Sequence, residues 1–313
     1  MTGRRSRIVR RAVLAALLAT ACAGGSGPAR PRYLLERPPP SADLIGRLGV
    51  HLTRREDTLV DLAPALGVGY VELLAANPGI DPWLPPSGAR LLVPGARLVP
   101  DAAREGIVVN LGDRRLYYFE KGAAVRAYPI GIAKNGYATP MGVTTVTEKR
   151  ERPDWIPGPS ARRDDPGLPA RVEPGPDNPL GEHALYLAWP TYLIHGTNEP
   201  RGVGRHSSRG CIRLYPDDMA ELYARVERGT PVRVVNQPVK LGWIGGELYL
   251  EVNPDSAQSL ALDETGKPGA PSDPPALREQ VEQAAGRQAK RIDWALVERI
   301  ASHRYGIPAR VTR

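Results

Sequence analysis

The chain has 313 residues, of which 42% are hydrophobic, and its net charge is +8. Glycine and proline, 33 of each, make up about a fifth of it, which argues against a helical bundle or coiled coil and favours short strands and turns. Two cysteines, Cys22 and Cys211, are too few for a four-cysteine zinc site or a disulfide-rich scaffold.

The first 22 residues predict an export signal. Five arginines within residues 1–11 precede the apolar run AVLAALLATA, which is too short to span a bilayer as a mature helix. The run ends either at an A-x-A cleavage site over 19–21 or as a lipobox that makes Cys22 the lipidated first residue. Both interpretations place the protein in the periplasm, and we favour the second, with a membrane anchor. An exported chain is not expected to bind nucleic acid.

A flexible linker over 23–45, rich in Gly, Pro and Arg, leads into a small α+β module over 46–96. Asp57 is expected to cap a first helix over 58–66, and a second helix follows over 70–76. Strands are expected at 48–52 and 90–94. This β-α-α-β pattern resembles a LysM module, a family that binds glycan chains containing N-acetylglucosamine. A helical-hairpin spacer is the alternative.

Residues 104–236 have the pattern of a mainly β domain. The predicted strands lie at 107–111, 116–119, 125–132, 184–188, 192–195 and 232–235. Pro216 begins a helix with an apolar stripe, which ends at Gly229. Residues 150–182 interrupt the strands with eight prolines, and a structureless stretch of this length predicts a lid or binding loop.

Residues 237–313 are predicted to form an accessory segment that packs on the catalytic domain. Two strands are expected near 239–244 and 247–252, and a linker over 253–275. A polar helix follows over 277–290, and Asp293 caps a last helix that starts at Trp294.

The candidate chemistry lies between His195 and Arg213, in IHGTNEPRGVGRHSSRGCIRLYPDD. A histidine that takes the proton of Cys211 and forms an ion pair with the thiolate would lower the pKa of the thiol. Gly210 permits a sharp turn whose backbone N–H groups are candidates for an oxyanion site. Arg213, two residues after Cys211, is a candidate for binding a substrate carboxylate.

This segment resembles the H-G…S-H-G-C-[IV]-[RN] signature of the L,D-transpeptidase catalytic domain, the YkuD-like family. His195-Gly196 and 208–213 fall on it residue by residue. GYATPMG at 136–142 and PGPDNPLGEHALYL at 174–187 are similar to the Gram-negative subgroup with a LysM module, typified by ErfK, YbiS, YcfS and YnhG. The implied fold is a YkuD-like β-sandwich with one or two helices, preceded by the LysM module.

The resemblance implies roles for the matched residues. Cys211 is the nucleophile, His195 is its base, and the Gly196 carbonyl orients His195. Ser208, Gly210 and Arg213 are supporting positions. Arg209 replaces the second histidine of the family, so it supplies a positive charge but no base, and His206 is a partial substitute.

The same resemblance implies a reaction. Cys211 attacks the residue before the terminal D-Ala of a peptidoglycan tetrapeptide stem, D-Ala leaves, and an amine resolves the thioester. The acceptor is a second stem, giving a 3→3 crosslink, or an outer-membrane lipoprotein, a free D-amino acid or water. The family resists penicillins and is acylated by carbapenems. No cofactor and no metal are expected.

Several alternatives remain at this level. A catalytically weak wall-binding protein would act through the LysM-like module alone, and a cysteine peptidase of the NlpC/P60 type would place Cys before His in the chain. Arg213 in a purely structural salt bridge is a further alternative. So are a zinc site from His195, His206 and Cys211, and a disulfide between Cys22 and Cys211.

Overall fold

The computed structural model describes residues 43–269 and 276–313. The predicted export signal with Cys22, most of the predicted 23–45 linker and residues 270–275 lie outside the described residues. Structural statements below concern the described ranges alone.

The strands in chain order are β1 (Leu44–Ile45), β2 (Gly49–Leu52), β3 (Arg90–Val93), β4 (Arg97–Leu98), β5 (Gly106–Asn110), β6 (Arg115–Phe119), β7 (Arg126–Pro129), β8 (Ile132–Ala133), β9 (Gly142–Glu151), β10 (His183–Leu187), β11 (Leu193–His195), β12 (His206–Ser208), β13 (Ile212–Arg213), β14 (Pro231–Val235), β15 (Val239–Ile244), β16 (Glu247–Val252) and β17 (Ala309–Arg310). The helices are α1 (Leu59–Ala65), α2 (Tyr70–Ala76), α3 (Pro159–Asp164), α4 (Pro216–Arg225), α5 (Ser256–Thr265), α6 (Leu277–Ala285) and α7 (Trp294–His303). Two 3-10 helices lie at Pro200–Gly202 and Gly286–Arg291.

An eight-stranded sheet in the order β13-β11-β10-β9-β14-β5-β6-β7 forms the mainly β domain. The long strand β9 pairs with β14 through its first residues and with β10 through its last, so the sheet curls there. Apolar residues of both halves, among them Val109, Val232 and Leu185, enter one core cluster that α4 completes through Met219 and Leu222. The predicted mainly β domain is confirmed, as one curled sheet.

The segment before this sheet contains the predicted strand–helix–helix–strand succession. β2 and β3 pair antiparallel, and α1 and α2 bury Leu59, Val71 and Leu73 in a separate core cluster. The predicted cap is wrong: Thr58 caps α1 by accepting from the Asp61 N–H at 3.2 Å. Asp57 instead accepts from the Arg54 N–H, at 2.8 Å, and contacts His51.

Two segments predicted to lack regular structure contain helices. Within 150–182, which we call the lid segment, β9 extends to Glu151 and α3 spans Pro159–Asp164. Within 253–275, the linker prediction is wrong because α5 begins at Asp255, whose side chain accepts from the Gln258 N–H. The many Pro, Gly, Ser and Asp residues around α5 masked a capping box.

The last part of the chain forms the predicted strands 239–244 and 247–252 as β15 and β16. Asp293 caps α7, as predicted, by accepting from the Leu296 N–H. The predicted helix over 277–290 is shorter, because it turns into a 3-10 helix at Gly286.

Two buried ionic clusters connect the outer segments to the β5–β6 hairpin. Glu72 of α2 pairs with Arg97, at 2.9 Å, and with Arg115 of β6. Lys240 of β15 contacts Asp113 at 2.6 Å and Glu251 at 2.8 Å. Burial opposes the charge on Lys240, but the two carboxylates outweigh it and raise its pKa above the ordinary value.

In the described part of the chain, no single helix is long and apolar enough to cross a membrane. Only α1 and α2 taken together meet the length and composition criteria, and they are bent by 110° relative to each other.

Candidate active site

Parallel pairing of β11 with β13 builds the centre of the site. Ile194 lies opposite Ile212, and His195 lies opposite Arg213. Cys211 immediately precedes β13, and the N–H of Leu193, two residues before His195, donates to the Cys211 sulfur. The structure therefore brings together three residues that are sixteen to eighteen positions apart in the sequence.

His195 is 3% exposed and its ring is held by one backbone contact. Its Nδ1 lies 2.6 Å from the Gly196 carbonyl, the contact that the family resemblance implied. An Nδ1–H that donates to this carbonyl leaves Nε2 as the free basic nitrogen. Burial, followed by the charge of Arg213, lowers the pKa of His195 to about 3, so the ring is neutral at pH 7.

Cys211 is a free cysteine in a turn between β12 and β13. Its Sγ lies 3.5 Å from the carbonyl oxygen of Thr191, a residue with a φ of 70°. A non-glycine residue at positive φ is strained, and such strain often lies at functional sites. Here it directs a carbonyl at the sulfur.

Burial raises the pKa of the Cys211 thiol, although the Leu193 N–H and Arg213 act in the opposite direction. The sequence-based expectation of a lowered thiol pKa in a preformed ion pair is therefore wrong for this structure. With Cys211 protonated and His195 neutral, the arrangement fits proton transfer to Nε2 during attack, as in general-base catalysis.

Ser208 and Gly210 shape the turn that carries the thiol. Ser208 Oγ accepts from the Gly210 N–H at 3.0 Å and donates to the Cys211 carbonyl at 2.6 Å. Gly210 has a φ of 120°, and a Cβ there would lie 2.8 Å from Tyr192, so only glycine fits. The Gly210 N–H is engaged by Ser208, so this group is not the free oxyanion donor that the sequence suggested.

Arg213 is half-buried and its Nε is a buried donor without a partner. None of the described carboxylates forms an ion pair with this side chain, so the structural salt bridge considered from the sequence is not formed. Burial lowers its pKa. An unpaired guanidinium beside His195 fits an anionic group of a substrate.

Arg209 and His206 do not contact the catalytic pair. Arg209 Nε donates to Asp164 Oδ2, in the lid segment, at 2.8 Å. His206 lies on β12, where burial and then Arg114 lower its pKa and Asp263 acts oppositely. Over residues 43–269 and 276–313, no group of three or more His, Cys, Asp or Glu is arranged to hold a metal ion.

The structure adds contacts that sequence analysis missed. Thr139 Oγ1 donates to the Gly210 carbonyl at 2.8 Å, and the Tyr192 hydroxyl donates to the Ala138 carbonyl at 3.3 Å. The GYATPMG motif already contained Thr139, so a signal existed for that residue. Asp164 had no signal, because a lone aspartate in a Pro-rich segment is ordinary in solvent-exposed loops.

The protonation states predict slow alkylation of the resting thiol. We expect the rate of Cys211 modification by iodoacetamide to rise about tenfold per pH unit from pH 6 to pH 9, because only the thiolate reacts. A plateau below pH 9 would indicate a preformed thiolate. His195→Gln should give the same slope, since a neutral ring does not stabilise the thiolate of the resting protein.

Comparison with known proteins gives consistent matches. The family model for the L,D-transpeptidase catalytic domain, YkuD, matches residues 104–234. YcfS of Escherichia coli, described as a probable L,D-transpeptidase, is 37% identical over 288 residues, or 88% of this chain and 87% of YcfS. ErfK/SrfK of Escherichia coli, described in the same way, is 40% identical over 239 residues, or 74% of this chain and 77% of the relative. The NMR structure of the catalytic domain from E. faecium L,D-transpeptidase has a TM-score of 0.34 and 27% identity, and the match covers 43% of this chain and 99% of that domain.

Proposed function

Because this chain belongs to the YkuD family of L,D-transpeptidases, we propose that it transfers peptidoglycan stem peptides through a thioester on Cys211. The observation that carries this proposal is the free Cys211 next to β11, which ends in a neutral, backbone-oriented His195. The unpaired Arg213 at the same strand pair would hold a carboxylate of the stem.

The first half-reaction uses His195 as base and then as acid. Cys211 Sγ attacks the carbonyl carbon of the residue before the terminal D-Ala, and its proton moves to His195 Nε2. The tetrahedral intermediate collapses, the C–N bond breaks, and D-Ala leaves with the proton from Nε2. The acyl group remains on sulfur as a thioester.

The second half-reaction reverses these roles. An acceptor amine attacks the thioester carbonyl, its proton moves to Nε2, and the C–S bond breaks to restore the thiol. A second stem gives a 3→3 crosslink, and an outer-membrane lipoprotein gives a wall-anchored product. Water as acceptor trims the stem, so exclusion of water favours transfer.

We also propose that the 46–96 module binds glycan strands as a LysM-like module. Its β2-α1-α2-β3 arrangement supports this assignment. A cleft of about 760 Å³ lies between its α2–β3 connection, the catalytic domain and α5, and its lining includes Trp83, Asp81, Asn135 and Arg205. Trp83 is 57% exposed there and offers an aromatic face beside polar groups, a combination that suits a sugar ring.

For location, we propose the periplasm, with an N-terminal lipid on Cys22. The basic and apolar stretches of residues 1–21 and the cysteine that follows them support this.

The test is incubation of the purified protein with a disaccharide tetrapeptide and, separately, with meropenem. We expect D-Ala release with a matching acyl adduct on Cys211, and a carbapenem adduct on the same residue. Glycan binding without either adduct would favour a non-catalytic wall-binding protein. Muropeptide analysis of a deletion strain, comparing 3→3 dimers with lipoprotein-derived peptides, identifies the acceptor.

A further inference from the structure

The lid segment is attached on both sides of the catalytic pair. At its C-terminal end, Gly181 packs so closely on the residues after His195 that a Cβ there would lie 2.8 Å from the Thr197 nitrogen. At its other attachment, α3 ends at Asp164, whose carboxylate reaches the turn that carries Cys211.

Asp164 receives three hydrogen bonds from the catalytic domain. Its Oδ2 accepts from Arg209 Nε at 2.8 Å and from Lys134 Nζ at 3.0 Å. Its Oδ1 accepts from the Tyr137 hydroxyl at 2.5 Å. These bonds, with that of Tyr137 the strongest, hold the pKa of Asp164 well below its ordinary value.

Two of the three donors are tied to the catalytic turn. Arg209 lies two residues before Cys211 and is followed by Gly210, whose geometry admits no other residue. The Lys134 N–H donates to the Ser208 carbonyl at 2.8 Å, and Ser208 in turn bonds the Cys211 carbonyl. The Asp164 carboxylate therefore connects the lid segment to the backbone that positions the nucleophile.

The lid segment is braced internally, so its two attachments act on one unit. The buried Asn178 donates to the carbonyls of Pro153, at 2.8 Å, and Val172, at 3.2 Å. Trp155 and Val172 exchange both backbone hydrogen bonds at 2.9 Å. Arg162 of α3 donates to the Pro157 carbonyl.

A single exposed ion pair contributes little to stability, but donors that converge on one carboxylate form a network. We propose that Asp164 is a positioning residue, held by Arg209, Lys134 and Tyr137, which keeps the lid segment closed over the acyl-enzyme and so favours amine acceptors over water. This inference rests on the proposed thioester route. It gives the arginine that replaces the family histidine a role in acceptor selection.

The physical reason lies in the lifetime of the thioester. Between the two half-reactions it is exposed to water, which is far more concentrated than any amine, so the product ratio depends on how well the closed site excludes water. An attachment near Cys211 controls that ratio without touching the reacting atoms.

The test measures crosslinked and hydrolysed products from one tetrapeptide donor at a fixed concentration of amine acceptor. We expect Asp164→Asn and Arg209→Gln each to lower the ratio of transfer to hydrolysis about two- to fivefold, the range that surface ion-pair energies allow. D-Ala release should change less than this ratio. Arg209→Lys should retain part of it, and the double variant should fall no further than the single ones, because they remove one shared contact.

Glu173→Gln is the matched control, since it removes the same charge from the same segment. The Glu173 side chain is 82% exposed, and its ion pair is a 4.0 Å contact with Arg171. We expect this variant to keep the ratio of the unmodified protein. An equal fall in the control, or an unchanged ratio in Asp164→Asn with normal D-Ala release, would overturn the proposal.

A second measurement does not depend on activity. Trypsin should cleave the lid segment of Asp164→Asn faster than that of Glu173→Gln, because one of its attachments is lost. Equal cleavage rates would overturn the proposed anchoring role. Absence of D-Ala release and of a Cys211 adduct in the unmodified protein would instead refute the thioester route itself.

Discussion

Cys211→Ala is expected to abolish acyl transfer, with a fall in the rate of D-Ala release of about 10⁴-fold or more. The substitution removes the only sulfur among the described residues that is placed to form a thioester, at the turn next to β11. No neighbouring group replaces it, since Ser208 is engaged with the Gly210 N–H and the Cys211 carbonyl. The measurement is D-Ala release from a tetrapeptide donor, combined with mass spectrometry of the protein.

The fold of this variant should remain intact. Alanine fits the turn, because the contacts that hold it come from Ser208, Thr139 and the backbone rather than from the sulfur. The circular dichroism spectrum and the urea midpoint should match those of the unmodified protein. Transfer at the unmodified rate in a folded Cys211→Ala protein would refute the thioester mechanism.

Lys240→Ala is expected to be the most destabilising of the substitutions considered, lowering the free energy of unfolding by about 3–5 kcal/mol. The Lys240 side chain is 1% exposed and its ammonium contacts Asp113, Glu251 and the Leu98 carbonyl. Removing it leaves two buried carboxylates without their cation, and neither can reach water. Urea denaturation, followed by tryptophan fluorescence, measures the change.

Arg278→Ala is the control for this effect. Arg278 and Glu282 form an i,i+4 pair at 3.1 Å on α6, with side-chain exposures of 67% and 49%. Because an exposed pair is screened by solvent, we expect its loss to change the free energy of unfolding by less than about 0.5 kcal/mol. Similar losses in Lys240→Ala and Arg278→Ala would contradict the structural role assigned to the buried cluster.

Local patterns predicted much of the secondary structure. The alternation over 239–252 gave β15 and β16 with their observed bounds, and Asp293 before an apolar stripe located the start of α7. The misplaced cap of α1 and the missed helix α5 have one cause: several Asp, Ser and Thr residues lie close together, and only geometry selects the one that caps.

The candidate nucleophile and base were also accessible from the sequence, because Gly196 and Gly210 flank His195 and Cys211 in a recognisable order. Their protonation states were not. The sequence favoured an ion pair, whereas the structure favours neutral groups, since burial penalises each charged form. Burial is a property of the packed fold, which no short motif contains.

The sequence by itself determined the strand-rich class, the first and last residues of several elements, and the two residues that define the site. These features depend on residues close together in the chain. Tertiary structure alone decided the contacts between Arg209 and Asp164, 45 residues apart, and between Lys240 and Asp113, 127 residues apart. Such pairs form only after the sheet curls and the flanking segments pack on it, because their charges must first be brought together and removed from water.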